Sequence, residues 1–353
     1  MNILHVGLGM RGRHWLEIVR DRPDMTSVGC VDADPAALEW ARTHVPGVAC
    51  FAELGTALQQ TTADAAIIAS PPALHASQAT AVLEANLAAM IEQPLATNLA
   101  AGAQVVEVSR RTGRPVIIAQ HERYLRGEQM LQHLVRAGHV GIVTHVSCID
   151  RRARPAPGDF LSRGEVEYAQ VLDVGVQHFE SLRSILGVRP LCVWARCGKT
   201  PWSMYAHGST TEACVEMEDD IHVQYHGTLT SSRDEHTLWI EGNKGVLWAD
   251  RTRVWWRKRG WRFFLPLRIR KTPPGDALQS QRQGSATALD QLKAVVSGGQ
   301  GPETNSENHL WTLSMLEAVI LSDKTRKAVP IAELFSAMGL PQVTAMHQGR
   351  EAG

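Results

Sequence analysis

Over the first 120 residues, short apolar runs alternate with segments of helical period. The runs 2–6, 26–31, 48–51, 64–69, 88–91 and 116–119 are brief, apolar and bounded by turn residues, which predicts strands. Apolar spacing of about 3.6 over 12–21, 35–43, 53–60, 73–86 and 99–112 predicts helices between them. Regular strand–helix alternation predicts a parallel sheet with crossover helices. Asp34-Pro35 reads as an N-cap followed by the first helical proline. Beyond residue 120 the rhythm changes. Residues 121–187 hold two helical patterns around one strand near 141–150, and 188–265 read mostly as strands, among them 221–226 and 235–241. A Pro/Gly/Gln-rich connector at 272–284 leads to the last helices, the final one over roughly 305–324. Length and the change of rhythm predict two domains, 1–120 and 121–353.

Composition removes several function classes. Thirty-six basic residues balance thirty-six acidic ones, so net charge gives no reason to expect nucleic acid as a partner. No apolar run reaches the ~18 residues that a membrane span needs. Met1 to Val6 run straight into a glycine-rich turn with no leader-like segment, which points to a cytoplasmic protein. The six cysteines lack zinc or redox spacing and read as reduced thiols. Only seven of the basic residues are lysines, the first of them Lys199, so chemistry in the first half must do without an ammonium group.

The most informative segment is Gly7-Leu8-Gly9-Met10-Arg11-Gly12, between the first strand and the first helix. Gly7 permits the tight turn, Gly9 lets a pyrophosphate approach the backbone, and Gly12 lets the helix pack on the strand. The phosphate then lies at the helix N-terminus. Asp32 ends the second strand, twenty residues after Gly12. A carboxylate there accepts the adenosine ribose hydroxyls and repels a 2′-phosphate, so NAD is expected rather than NADP, with Arg11 and Arg13 leaving some room for the latter.

Two loops extend this reading. Ser70-Pro71-Pro72-Ala73-Leu74-His75 follows the fourth strand and Glu92-Gln93-Pro94-Leu95 follows the fifth. With the glycine turn, with Asp173-Val174-Gly175-Val176-Gln177-His178, and with the Trp239–Gly245 turn, they resemble the glucose–fructose oxidoreductase / inositol dehydrogenase (Gfo/Idh/MocA) family in the family's order. The resemblance implies an N-terminal Rossmann domain and a C-terminal α/β domain on a large, mostly antiparallel open sheet, with the nicotinamide in the cleft between them. It implies hydride transfer at a hydroxyl of a sugar, cyclitol or related polyol, and a homodimer or homotetramer formed through the open sheet. It places Ser70, Pro71, His75, Glu92 and Gln93 around the cofactor, and Asp173, Gln177 and His178 on the substrate side.

Two positions depart from the family pattern. The E-K-P lysine is replaced by Gln93, which hydrogen-bonds but neither titrates nor carries charge. The acid–base histidine is expected four residues after the aspartate, where Gln177 stands. His178 is five after, about 140° round a regular helix from Asp173, so it reaches the family position only if the helix is locally over- or underwound. Candidate replacements are Asp173, as a base or to orient a water, and the segment His121-Glu122-Arg123-Tyr124: His121 or Tyr124 for the proton and Arg123 for the positive charge. Arg152, in the Pro/Gly-rich stretch 151–164, and Tyr168 are further substrate-side candidates. The two glutamines also admit another class: a dinucleotide-binding protein without net redox turnover, either a transient-oxidation enzyme (elimination, epimerisation, glycoside cleavage) or a non-catalytic sensor or subunit.

The remaining clusters suggest less. His222 and His226, with His207 and His236 near in sequence, lack carboxylate or cysteine partners at ligand spacing, so no metal site is predicted. The run Arg251–Lys271 interleaves basic and aromatic residues, but it reads as a hairpin turning at Lys258-Arg259-Gly260 with aromatics on one face, not as a nucleic-acid module.

Overall fold

The computed structural model describes residues 1–154, 167–250, 253–267 and 277–340. The first sheet is built from β1 (Asn2–Val6), β2 (Thr26–Val31), β3 (Ala49–Phe51), β4 (Ala65–Ile68), β5 (Ala88–Glu92) and β6 (Val116–Ala119). Between them run α1 (Met10–Arg20), α2 (Pro35–His44), α3 (Leu54–Gln60), α4 (Pro72–Glu84) and α5 (Leu99–Thr112). All pairings are parallel, in the order β3-β2-β1-β4-β5-β6. The order reverses between β1 and β4, and that switch point opens a ligand crevice at the strand C-termini. Burial on both faces explains why β4 and β6 read as unbroken apolar runs.

The second sheet has nine strands in the order β14-β13-β12-β11-β7-β10-β9-β8-β15, antiparallel except where β10 runs beside β7. They are β7 (Val143–Ala153), β8 (Pro190–Gly198), β9 (Thr210–Met217), β10 (Ile221–Thr228), β11 (Thr230–Gly242), β12 (Gly245–Ala249), β13 (Val254–Lys258), β14 (Leu265–Leu267) and β15 (Val329–Pro330). Over most of their length the strands β8, β9 and β10 alternate between buried and exposed residues, as expected of a sheet covered on one face. Its helices are α6 (Arg126–Arg136), α7 (Val176–Leu186), α8 (Ala277–Val296), α9 (Ser306–Thr325) and α10 (Ile331–Ala337).

The two halves are stitched together. Ala288, Leu289 and Leu292 of α8 share an apolar cluster with Ile3, Trp15, Ile67 and Met90 of the first sheet's layer. The Ile118 amide donates to the Thr304 carbonyl at 2.7 Å, so the chain after α8 lies along the edge of β6.

Three expectations change. Of the connector at 272–284, residues from 277 on are helical, because α8 starts there; 272–276 lie outside the described residues. Arg151 to Ala153 complete β7 instead of opening a loop; Arg154 follows it, and 155–166 lie outside the described residues. In the hairpin, Trp255 stacks on Trp248 whereas Trp256 contacts Trp261. Neighbouring residues of a strand face opposite ways, so the aromatics occupy both faces.

Candidate active site

The glycine turn leaves bare backbone where a phosphate would lie. Gly7 has φ +87°, and a Cβ there would sit 2.5 Å from the Ser70 amide nitrogen. A Cβ on Gly12 would meet the Gly7 carbonyl oxygen at 1.8 Å. Gly9, the N-cap of α1, behaves differently: a Cβ would meet nothing within 4 Å, and no side chain caps the helix. The amides of the first turn therefore face open space, as an anion site requires. Beside them the Asp32 carboxylate accepts from the Leu8 amide (2.6 Å) and the Asp34 amide (2.9 Å), which orients it at the end of β2. Residues and geometry fit a dinucleotide.

The loops after β4 and β5 are tied to each other. The buried His75 ring bridges the Pro94 carbonyl (2.7 Å) and the Ser70 carbonyl (2.8 Å), and the Gln93–Pro94 peptide is cis. Glu92 lies almost fully buried beneath Gln93, held by Arg11 (2.6 Å) and the Trp15 indole (2.6 Å). Burial alone would raise its pKa, but Arg11, His121 and Trp15 outweigh burial and hold it below the usual carboxylate range. Arg11 also reaches His121 Nδ1 at 3.3 Å, and burial together with the Arg11 charge lowers the His121 pKa.

In the second half of the chain, Val171–Gly175 form a π turn leading into α7, so the helix is locally underwound. Gln177 faces Glu122, and with its amide oriented to donate it lies 3.0 Å from the carboxylate. Asp173 lies 3.8 Å from Arg154, which is half exposed. Burial pushes the Asp173 carboxyl up; Arg154 and Arg152 pull it partly back, and the Glu122 carboxylate adds to the rise. Glu122, Gln177, Asp173 and Arg154 thus make a polar wall at the start of α7.

Residues 1–120 match the oxidoreductase family with an NAD-binding Rossmann fold, GFO_IDH_MocA. A protein of Amycolatopsis mediterranei described as a UDP-kanosamine synthase oxidoreductase subunit is 31% identical over 264 residues, 68% of this chain and 72% of that one. The chain belongs to the Gfo/Idh/MocA oxidoreductase family. An inositol 2-dehydrogenase of Corynebacterium glutamicum is 24% identical over 61% of this chain and 63% of that enzyme. Among solved structures, the WlbA dehydrogenase of Bordetella pertussis, in complex with NADH and UDP-GlcNAcA, shares the fold at TM-score 0.78 and 19% identity, covering 94% of this chain and 97% of that one. This Gfo/Idh/MocA member therefore carries the NAD-binding Rossmann domain and the mostly antiparallel second sheet that its motifs implied.

Within this framework the site residues expected from sequence fall into two groups. Gly7, Gly9, Met10 and Gly12 lie in the turn into α1, Asp32 after β2, Ser70, Pro71 and His75 after β4, and Glu92 and Gln93 at the end of β5, while Asp173 and Gln177 lie in the π turn and the start of α7. Arg11 lies with the first group and pairs with Glu92 at 2.6 Å. The others are committed elsewhere. Arg123 pairs with Glu180 at 3.1 Å and with Glu303, which fastens the loop after β6 to α7 and the chain before α9. The Tyr124 hydroxyl bonds Gln291 of α8. Arg152 is buried on Asp150 at 2.6 Å, and Tyr168 is buried with its hydroxyl on Asp323. His178 turns toward the second sheet, 3.0 Å from the Tyr225 hydroxyl. Even underwound, the helix presents Gln177 and not His178 to Glu122. Sequence reasoning passed over Glu122 as one member of a charged tetrapeptide; its position between two flanking candidates was the available signal. It also gave the histidines no carboxylate, yet Asp150, His178 and His236 converge.

Proposed function

We propose that this family member is an NAD-dependent oxidoreductase that exchanges hydride with a secondary alcohol, or its ketone, on a sugar carried by a nucleotide. The carrying observation is the pairing of the open α1 terminus and the fixed Asp32 carboxylate with the Gln177–Glu122 contact across the cleft. Bound nicotinamide supplies the hydride acceptor or donor. In the oxidation direction, Glu122 takes the hydroxyl proton as the carbinol hydrogen leaves as hydride. Gln177 and Gln93 hold the alcohol oxygen by hydrogen bonds, and neither titrates. Arg154 at the cleft edge offers positive charge to a diphosphate or carboxylate. The nucleotide sugar rests on the relatives, one described as acting in UDP-kanosamine formation and one solved with UDP-GlcNAcA. Leu191 and Trp194, exposed on the uncovered face of the second sheet, support self-association there.

The test follows absorbance at the nicotinamide band over a panel of UDP-sugars, free sugars and cyclitols, for wild type and Glu122→Gln. Turnover with a nucleotide sugar is expected, falling by ~10²–10⁴ in kcat in the variant, with NAD affinity and thermal stability unchanged. Tight NAD binding without turnover on any compound would overturn redox function in favour of a dinucleotide-binding protein without net redox output. An unchanged kcat in Glu122→Gln would remove Glu122 from the proton's path.

A further inference from the structure

Behind the polar wall, three side chains from three elements meet at one point. Asp150 of β7 and His236 of β11 are cross-strand partners, and His178 descends on them from α7. His236 Nδ1 lies 3.1 Å from Asp150 Oδ1, and His178 Nε2 lies 3.5 Å from the same oxygen. One ligand atom from each residue falls within 4.8 Å of the others. Asp150 and His178 are almost wholly buried, and His178 Nε2 has no hydrogen-bond partner. An unsatisfied buried nitrogen costs ~1–3 kcal/mol, so its retention calls for a physical account.

The spacing supplies one. In a tetrahedral site with bonds of about 2.0–2.2 Å, neighbouring donor atoms stand roughly 3.3 Å apart, between the two separations observed here. Each imidazole ligates as the neutral ring, with its proton on the far nitrogen. For His178 that nitrogen is Nδ1, 3.0 Å from the Tyr225 hydroxyl. Arg152 Nε donates to the other Asp150 oxygen, Oδ2, at 2.6 Å. These are the outer contacts that orient metal ligands. His178 and His236 also line a cavity of about 60 Å³ together with Glu122, Glu128 and Ser181, which provides space for a fourth ligand and nearby negative charge.

We propose that Asp150, His178 and His236 form a site for a divalent transition metal of the zinc class, with a fourth position open to that cavity. Two imidazoles and one carboxylate suit Zn²⁺, Co²⁺ or Fe²⁺ better than Mg²⁺ or Ca²⁺.

The experiment uses untagged full-length protein, stripped with chelator and titrated with Co²⁺ under visible absorption, alongside metal analysis of the protein as purified. One equivalent is expected, with the intense band of a four-coordinate site. His236→Gln should weaken Co²⁺ binding at least ~100-fold, and Tyr225→Phe about tenfold. His222→Gln, on the exposed face of β10, should leave binding unchanged. Zn²⁺ should raise the melting temperature of wild type and not of His236→Gln. Absence of stoichiometric metal, or equal binding by wild type and His236→Gln, would overturn the proposal and leave a hydrogen-bonded ion cluster. Loss of binding in His222→Gln alone would move the site to the sheet surface and overturn it too.

Discussion

Alanine at Gly9 and at Gly12 separates cofactor binding from folding. At Gly9 the backbone is extended (φ −63°, ψ −171°) and an added methyl meets nothing within 4 Å, so the chain without cofactor accommodates it. Reduced unfolded-state entropy gains ~0.4–1 kcal/mol, while the loss of an N-cap glycine costs about as much. Net stability should therefore stay within about 1 kcal/mol of wild type. That methyl occupies the space over the helix terminus, where the pyrophosphate would need to touch amides. Losing one such charge-assisted contact at ~1.5–3 kcal/mol weakens NAD by roughly 10- to 100-fold. At Gly12 the methyl would stand 1.8 Å from the Gly7 carbonyl oxygen, so α1 must shift off β1. The cost is about 3 kcal/mol with or without NAD. Calorimetric titration with NAD and denaturant unfolding of the cofactor-free variants measure the two effects independently. Wild-type NAD affinity in Gly9→Ala would refute the placement of the diphosphate on the α1 terminus.

Two other outcomes follow from the same geometry. Asp32→Ala removes the acceptor fixed by the Leu8 and Asp34 amides, so NAD should weaken by about ten- to a hundredfold while NADP weakens less or gains, read as the ratio of dissociation constants. His5 is buried against Ser27, and burial lowers its pKa from 6.5 to about 3. Protonation then favours the unfolded chain, so this ring's contribution is intact above pH 6.5 and is lost as pH falls toward 3, at up to ~1.4 kcal/mol per unit. Denaturation midpoints should fall less steeply between pH 6 and pH 4 (about those values) in His5→Gln than in wild type; identical slopes would show that the ring is not held neutral.

Much of this architecture was written locally along the chain. The apolar runs of β1, β4, β5 and β6 and the periodic helices between them needed only their own residues, because burial on both faces demands continuous hydrophobic segments. The glycine turn was equally plain, since Gly7 and Gly12 answer to sterics within a few residues and to the adjacent Ser70 loop. Helix α8 was partly hidden: its glutamines and glycine resemble a connector, and what makes it a helix is the apolar surface of Ile3, Trp15 and Met90 that it covers. Side-chain direction was the larger blind spot. Nothing local reports that Arg123 meets Glu180, that Arg152 turns back on Asp150, or that Gln177 meets Glu122 while His178 turns into the sheet. Asp150, His178 and His236 are separated by tens of residues and gain meaning only when β7, β11 and α7 pack. Sequence determined the elements and the dinucleotide turn because both are governed by short-range periodicity and sterics. Tertiary structure decided the partners of each charge, because burial makes an unpaired ion costly and the nearest opposite group is set by packing, not by spacing along the chain.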